Sequence, residues 1–87
     1  MSNTRVYSED SKAIMDRYFM AFEKCRELGL LKNATEYFAE IGVARSNFYT
    51  QRKNRGRGYF EAGWMTPLVE KYHVSAYWLL TGKGEMF

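Results

Sequence analysis

Ile14, Met15, Tyr18, Phe19, Phe22 and Cys25 recur at steps of one, three and four residues, and nothing else in the chain constrains the fold as tightly. At 3.6 residues per turn those positions fall on one side of a helix, as a wide and largely aromatic stripe. A stripe of that width is stable only when other elements cover it. In 87 residues there is one domain and one small core to do so. The spacing predicts a first helix that begins near Ser8 or Ser11. Glu9 and Asp10 lie against the positive end of its dipole, and Gly29 ends it. Cys25 sits on the stripe and reads as a small core residue. As a lone cysteine it makes no internal disulfide, which fits a reducing compartment. Residues 1–7 read as a tail with little to order it, and residues 8–87 as the domain.

The rest of the chain is punctuated into short helices. Asn33 caps a second helix, with Glu36 placed to reach back to its amide, and Tyr37, Phe38 and Ile41 form the apolar face. Gly42 permits a sharp turn, and Val43 packs into the angle. A third helix follows from about Arg45 to Lys53. Phe48 and Tyr49 are its only strongly apolar side chains, so it displays Arg45, Ser46, Asn47, Thr50, Gln51, Arg52 and Lys53. Asn54 to Gly58 reads as a flexible basic loop. Residues 59–65 fit either a helical turn broken at Gly63 or an extended connection, and Gly63 suggests an exposed bend at Trp64. Thr66 caps a fourth helix with Pro67 in its first turn, and Leu68, Val69 and Tyr72 face the core. Ser75 caps a fifth, which carries Trp78, Leu79 and Leu80, and Gly82 and Gly84 end it. No strand pattern occurs. The expected class is all-α, five helices around one core.

Charge is concentrated. Residues 1–40 sum to −1, residues 41–60 to +5 with no acid, and residues 61–87 to −1. Arg45, Arg52, Lys53, Arg55 and Arg57 thus make one positive segment, which attracts polyanions more strongly than the same net charge spread evenly. No apolar run approaches the roughly 18 residues a membrane span needs. The opening residues Met1 to Arg5 carry no apolar stretch, so no signal peptide is expected and the expected location is cytoplasmic. His73 has no second ligand or nucleophile near it in sequence, so neither a metal site nor a catalytic residue is expected. Asp16 and Glu23 read as ordinary surface charge.

Two adjoining helices, a glycine turn between them and a polar, basic second helix form a helix-turn-helix pattern over Asn33 to Lys53. The major groove admits one helix, and Arg, Asn, Ser and Thr can read the donors and acceptors on its floor. That stretch resembles the helix-turn-helix of the Cro and phage-repressor (XRE) family. The closing stretch from Tyr72 to Phe87, with Val74-Ser75, Trp78-Leu79-Leu80-Thr81-Gly82 and Met86-Phe87, is similar to the ending of many of its bacterial and prophage members.

The resemblance implies a five-helix, repressor-type domain that binds double-stranded operator DNA, often as a dimer, with no enzyme activity and no cofactor. It places Arg45, Ser46, Tyr49 and Thr50 on the groove-facing side of the third helix. Arg45 is suited to guanine and Thr50 to a thymine methyl or a phosphate. Ser46 and Asn47 lie in the first turn, where amides also meet phosphate. Tyr49 reads equally as a half-buried core residue. Arg52, Lys53, Arg55 and Arg57 are expected on phosphates. Asn33 and Thr35 are candidate backbone contacts, with plain capping open for Asn33. This chain departs from the family pattern in having Phe38 where alanine is usual, Ala44 where a capping Ser or Thr is common, and Gln51 where an aliphatic residue is preferred.

The expected function is therefore that of a sequence-specific transcriptional regulator acting as a homodimer, with Trp64 or Phe60 near the dimer contact. Met86-Phe87 serves either that contact or the core. About four phosphates neutralised per protomer would give a salt slope near −4. A diverged helix-turn-helix that binds another protein is the alternative. Single-stranded RNA binding through Tyr49, Tyr59 and Phe60 beside Arg55 and Arg57 is a weaker third.

Overall fold

Helix α1 runs from Glu9 to Glu27 and is the axis of the molecule. The computed structural model describes residues 7–56 and 59–87. Ser8 caps α1, its hydroxyl accepting from the Ser11 amide at 3.1 Å. Met15, Tyr18, Phe19, Ala21, Phe22 and Cys25 are buried, so the stripe read from the sequence is the inner face of this helix. After Gly29, Leu31 enters the core and α2 follows over Ala34–Ile41. The Asn33 side chain accepts from the Glu36 amide at 3.2 Å, as its position before the helix predicts.

Helix α3 spans Arg45–Lys53. A single 3₁₀ turn over Ala62–Met65 runs directly into α4, Thr66–Glu70, and α5 covers Ala76–Thr81. Ser75 caps α5 by accepting from the Trp78 amide at 3.1 Å, and Gly82 ends it at a φ of 75°. The described residues contain no strand, and the class is all-α with five α-helices.

Three expectations need correction here. Thr66 does not cap α4: the helix starts at Thr66 itself, Met65 is the flanking residue, and no side chain caps it. The preceding 3₁₀ turn supplies helical backbone up to that point, so no capping side chain is required. Trp64 is not on an exposed bend. It is 1% exposed, and its indole packs on Phe48, Phe60 and Tyr18. The 3₁₀ turn swings it inward, which an extended connection would not. Tyr7, placed in the tail by the sequence, is held: its hydroxyl accepts from the Phe60 amide at 3.1 Å, and it packs on the core. Residues 1–6 of that tail lie outside the described residues.

The core is mainly aromatic. Phe48 of α3 lies within 4.7 to 6.4 Å, ring centre to ring centre, of Phe38, Phe22, Phe19, Tyr18, Tyr37, Tyr49 and Trp64. One buried side chain thus fixes α3 against α1, α2 and the 3₁₀ turn together. At its centre the Tyr37 hydroxyl donates to the Trp64 carbonyl at 2.6 Å and also bonds the Tyr18 hydroxyl. Burial pushes both phenols above their ordinary pKa. At the far end, Arg17 Nε donates to the Leu79 carbonyl at 2.8 Å, satisfying a carbonyl in the last turn of α5 and tying it to α1. Leu79 is buried, Trp78 and Tyr72 are half-buried against the core, and Leu80 is exposed.

Candidate nucleic-acid interface

The turn between α2 and α3 is three residues long, Gly42 to Ala44. Gly42 takes the left-handed conformation, φ 70° and ψ 35°, which other L-residues adopt only at a cost. Its amide bonds the Ala39 carbonyl at 3.2 Å, and the Val43 amide bonds the Phe38 carbonyl at 3.1 Å. Those two bonds close the end of α2 and turn the chain. Val43 packs on the core, as its place in the angle predicts. Ala44 then precedes α3 without a side-chain capping bond. The departure from a capping Ser or Thr therefore leaves the first-turn amides of α3 without a side-chain acceptor from that position.

Phe48 anchors α3 by its inner face, and Arg45, Ser46, Asn47, Thr50, Arg52 and Lys53 stand on the exposed side. Tyr49 lies between the two. It is half-buried, edge-on to Phe38 at 5.8 Å and to Phe48 at 5.3 Å, so its ring belongs to the core margin. Asn33 and Thr35 are exposed at the start of α2. Thr35 and Arg45 meet: Arg45 Nη2 donates to Thr35 Oγ1 at 3.3 Å, and the guanidinium lies 5.4 Å from the centre of the Phe38 ring. Phe38 thus supports Arg45 where alanine would leave it without a platform. Phe38 itself is buried against Phe22 and Phe48.

The sequence placed Gln51 on display, and this is overturned. Gln51 is fully buried, its Nε2 donating to the Arg55 carbonyl at 3.0 Å and lying 3.0 Å from Met15 Sδ. Position 51 is three residues after Phe48 and so shares its inner face. Its Oε1 is buried without a hydrogen-bond partner.

Arg55, expected on phosphate, is engaged within the chain. It does not stand in a loose loop. Its Nε donates to Asp16 Oδ1 at 2.8 Å, its Nη1 to the carbonyls of Gln51 and Arg52, and the guanidinium stacks 4.5 Å over Phe19. Arg55 is a clasp that closes the end of α3 onto α1, because its donors match the last carbonyls of the helix. Asn54 supports the same turn by accepting from the Gly56 amide at 3.0 Å. Arg52 pairs with Glu23 of α1 at 2.8 Å. Asp16 and Glu23 are therefore not idle surface charge: seven residues apart, two turns of α1, they meet two of the five cations. Arg57 lies outside the described residues. The signal for this pairing was present in the sequence as complementarity between an acid-bearing α1 and a segment with no acid of its own.

What the surface offers is a polar and cationic helix, braced by α2, with hydroxyl, amide and guanidinium groups on one side. Such a set can donate to base edges and phosphate oxygens. No protein-family model matches the chain, and neither a curated protein nor a solved structure is significantly similar to it.

Proposed function

We propose that this chain is a sequence-specific, double-stranded DNA-binding regulator of transcription, a repressor of the kind found in bacteria and prophages. The observation that carries the reading is the outward side of α3: Arg45, Ser46, Asn47, Thr50 and Lys53 exposed on a helix whose inner side is fixed by Phe48. Arg45 reads a base, Ser46, Asn47 and Thr50 contact bases or the nearest phosphates, and Lys53 with Arg57 anchors the duplex. Thr35 and Asn33 sit where α2 meets the backbone of the strand. The activity is binding rather than catalysis, without a cofactor, in the cytoplasm. Among the described residues no helix is long and apolar enough to cross a membrane.

Because Arg55 is a clasp and Arg52 is shared with Glu23, fewer than four cations are available to phosphates. The expected slope of log K against log[salt] is about −2 to −3 per protomer. Selection from a pool of random duplexes, followed by a salt titration on the best site, tests the reading. A selection that enriches no sequence, with a slope near zero, removes it.

The protein acts as a homodimer on DNA, since one recognition helix buries too little surface for tight binding alone. Trp64 is too deeply buried to anchor the contact. Exposed apolar side chains remain for it, among them Tyr77, Leu80 and Phe87. The second reading, a diverged helix-turn-helix that binds a protein, is favoured by one observation: two of the five cations of the basic segment already face carboxylates.

A further inference from the structure

Arg52 and Lys53 close the last turn of α3, and with Tyr49 they line a shallow depression of about 340 Å³. The guanidinium of Arg52 lies 5.8 Å from the centre of the Tyr49 ring. The groups that face the depression are thus two cations and an aromatic ring that carries a hydroxyl. That is a donor set for a phosphodiester and not for a base edge, because a phosphate accepts from several directions while a base demands one plane.

Glu23 is the group that works against it. Its Oε2 lies 2.8 Å from Arg52 Nη2, yet that oxygen is out of contact with solvent and makes no aligned hydrogen bond. Taken whole, the side chains are 41% and 35% exposed, so both are partly hydrated although the facing carboxylate oxygen is not. A poorly aligned, partly hydrated pair contributes little and exchanges partners readily. Arg55 differs: it holds Asp16, two carbonyls and the Phe19 face together, and it is not exchangeable on the same terms.

Charge decides the balance. The C-terminal end of a helix carries roughly half a negative charge. Arg52 and Lys53 set two positive charges against it, and Glu23 cancels one. The depression is left with about half a positive charge in the presence of Glu23 and about one and a half without it.

We infer that Tyr49, Arg52 and Lys53 form a phosphate subsite and that Glu23 is its built-in competitor, occupying Arg52 until a backbone phosphate displaces it. The inference rests on the DNA-binding reading and adds to it a residue on α1 that tunes affinity without touching DNA. It also assigns Tyr49 to the backbone rather than to a base.

Fluorescence anisotropy with a short labelled duplex of mixed sequence tests it across a range of salt. Glu23→Gln should bind roughly 1.5- to 5-fold more tightly than the native protein, the size expected for releasing a half-exposed ion pair. Its salt slope should steepen by up to about 0.9 per protomer, one phosphate's worth. In an Arg52→Gln background the same change should have no effect. Tyr49→Phe should weaken all duplex sequences by one common factor. Glu23→Asp, which draws the carboxylate back by one methylene, should shift binding in the same direction by less, and it serves if Glu23→Gln loses helical structure. Unchanged affinity and slope in Glu23→Gln would overturn the inference while leaving DNA binding intact. An equal gain in the Arg52→Gln background would also overturn it, since the effect would then be one of overall charge. If the native protein binds no duplex even at low salt, the DNA-binding reading falls and the subsite with it.

Discussion

Tyr37 has one hydroxyl proton, and it goes to the Trp64 carbonyl at 2.6 Å. The bond between the two phenols must then be donated by Tyr18. The two tyrosines are therefore unequal. Tyr37→Phe leaves a buried carbonyl without a donor and the Tyr18 hydroxyl without an acceptor, and should cost about 2–4 kcal/mol. Tyr18→Phe removes only the terminal donor and should cost about 1 kcal/mol. Urea unfolding of both variants checks the order, and a larger loss for Tyr18→Phe would reverse the donor assignment. Gln51 is the opposite case. Its Oε1 is buried and unpaired, so Gln51→Met, close in shape, trades the bond to the Arg55 carbonyl for relief of that acceptor. The expected change is within about 1 kcal/mol of zero.

At the scale of elements, α3 is fixed at three places: by Phe48 within the core, by the Gly42 turn before it and by the Arg55 clasp after it. A Cβ at Gly42 would meet nothing within 4 Å, so Gly42→Ala carries a purely conformational penalty of about 1–2 kcal/mol. Arg55→Ala should lower stability by about 1–2 kcal/mol, since it removes charge-assisted bonds to the last turn of α3 that are partly screened by water. A role on phosphates alone would leave the unfolding midpoint in place. Thermal unfolding of Arg55→Ala without DNA therefore separates the clasp from a backbone anchor. Arg45→Ala should leave stability nearly unchanged and relax the preference at one base pair by roughly 1–3 kcal/mol, measured against single-base changes in the selected site.

The whole molecule carries a dependence on alkaline pH. Burial raises the pKa of Tyr18, of Tyr37 and of the Cys25 thiol above their ordinary values of 10.0, 10.0 and 9.0. Above those values the unfolded chain has released protons that the folded chain retains, so stability falls as pH rises. The fall begins near pH 9 with the thiol and steepens above pH 10. Each group contributes a slope of at most about 1.4 kcal/mol per pH unit, and only between its ordinary and its raised value; well below pH 9 none of the three contributes. Denaturant midpoints between neutral pH and pH 11 measure this, and a flat profile would show that the three groups ionise alike in both states. Assembly also belongs to this scale. Analytical ultracentrifugation with and without a palindromic site should show two protomers per site. A single bound protomer at saturation would leave the chain a monomeric DNA binder.

The five helices were legible in the sequence because their causes are local. The stripe on α1, Asn33 and Ser75 before their helices and Gly42 between α2 and α3 act within a few residues, through hydrogen bonds and backbone conformation that spacing reveals. Six of the seven α3 positions read as displayed are exposed for the same reason, but Gln51, three residues after Phe48, shares its inner face. What the tertiary structure decided lies between distant segments. It placed Trp64 in the core, Tyr7 on the Phe60 amide, Gln51 beside Met15, and Asp16 and Glu23 opposite Arg55 and Arg52. Composition can count five cations in a segment without acids. Only packing α3 against α1, as the Phe48 cluster requires, brings a carboxylate 2.8 Å from each of two of them and so determines how much of that charge a partner can use.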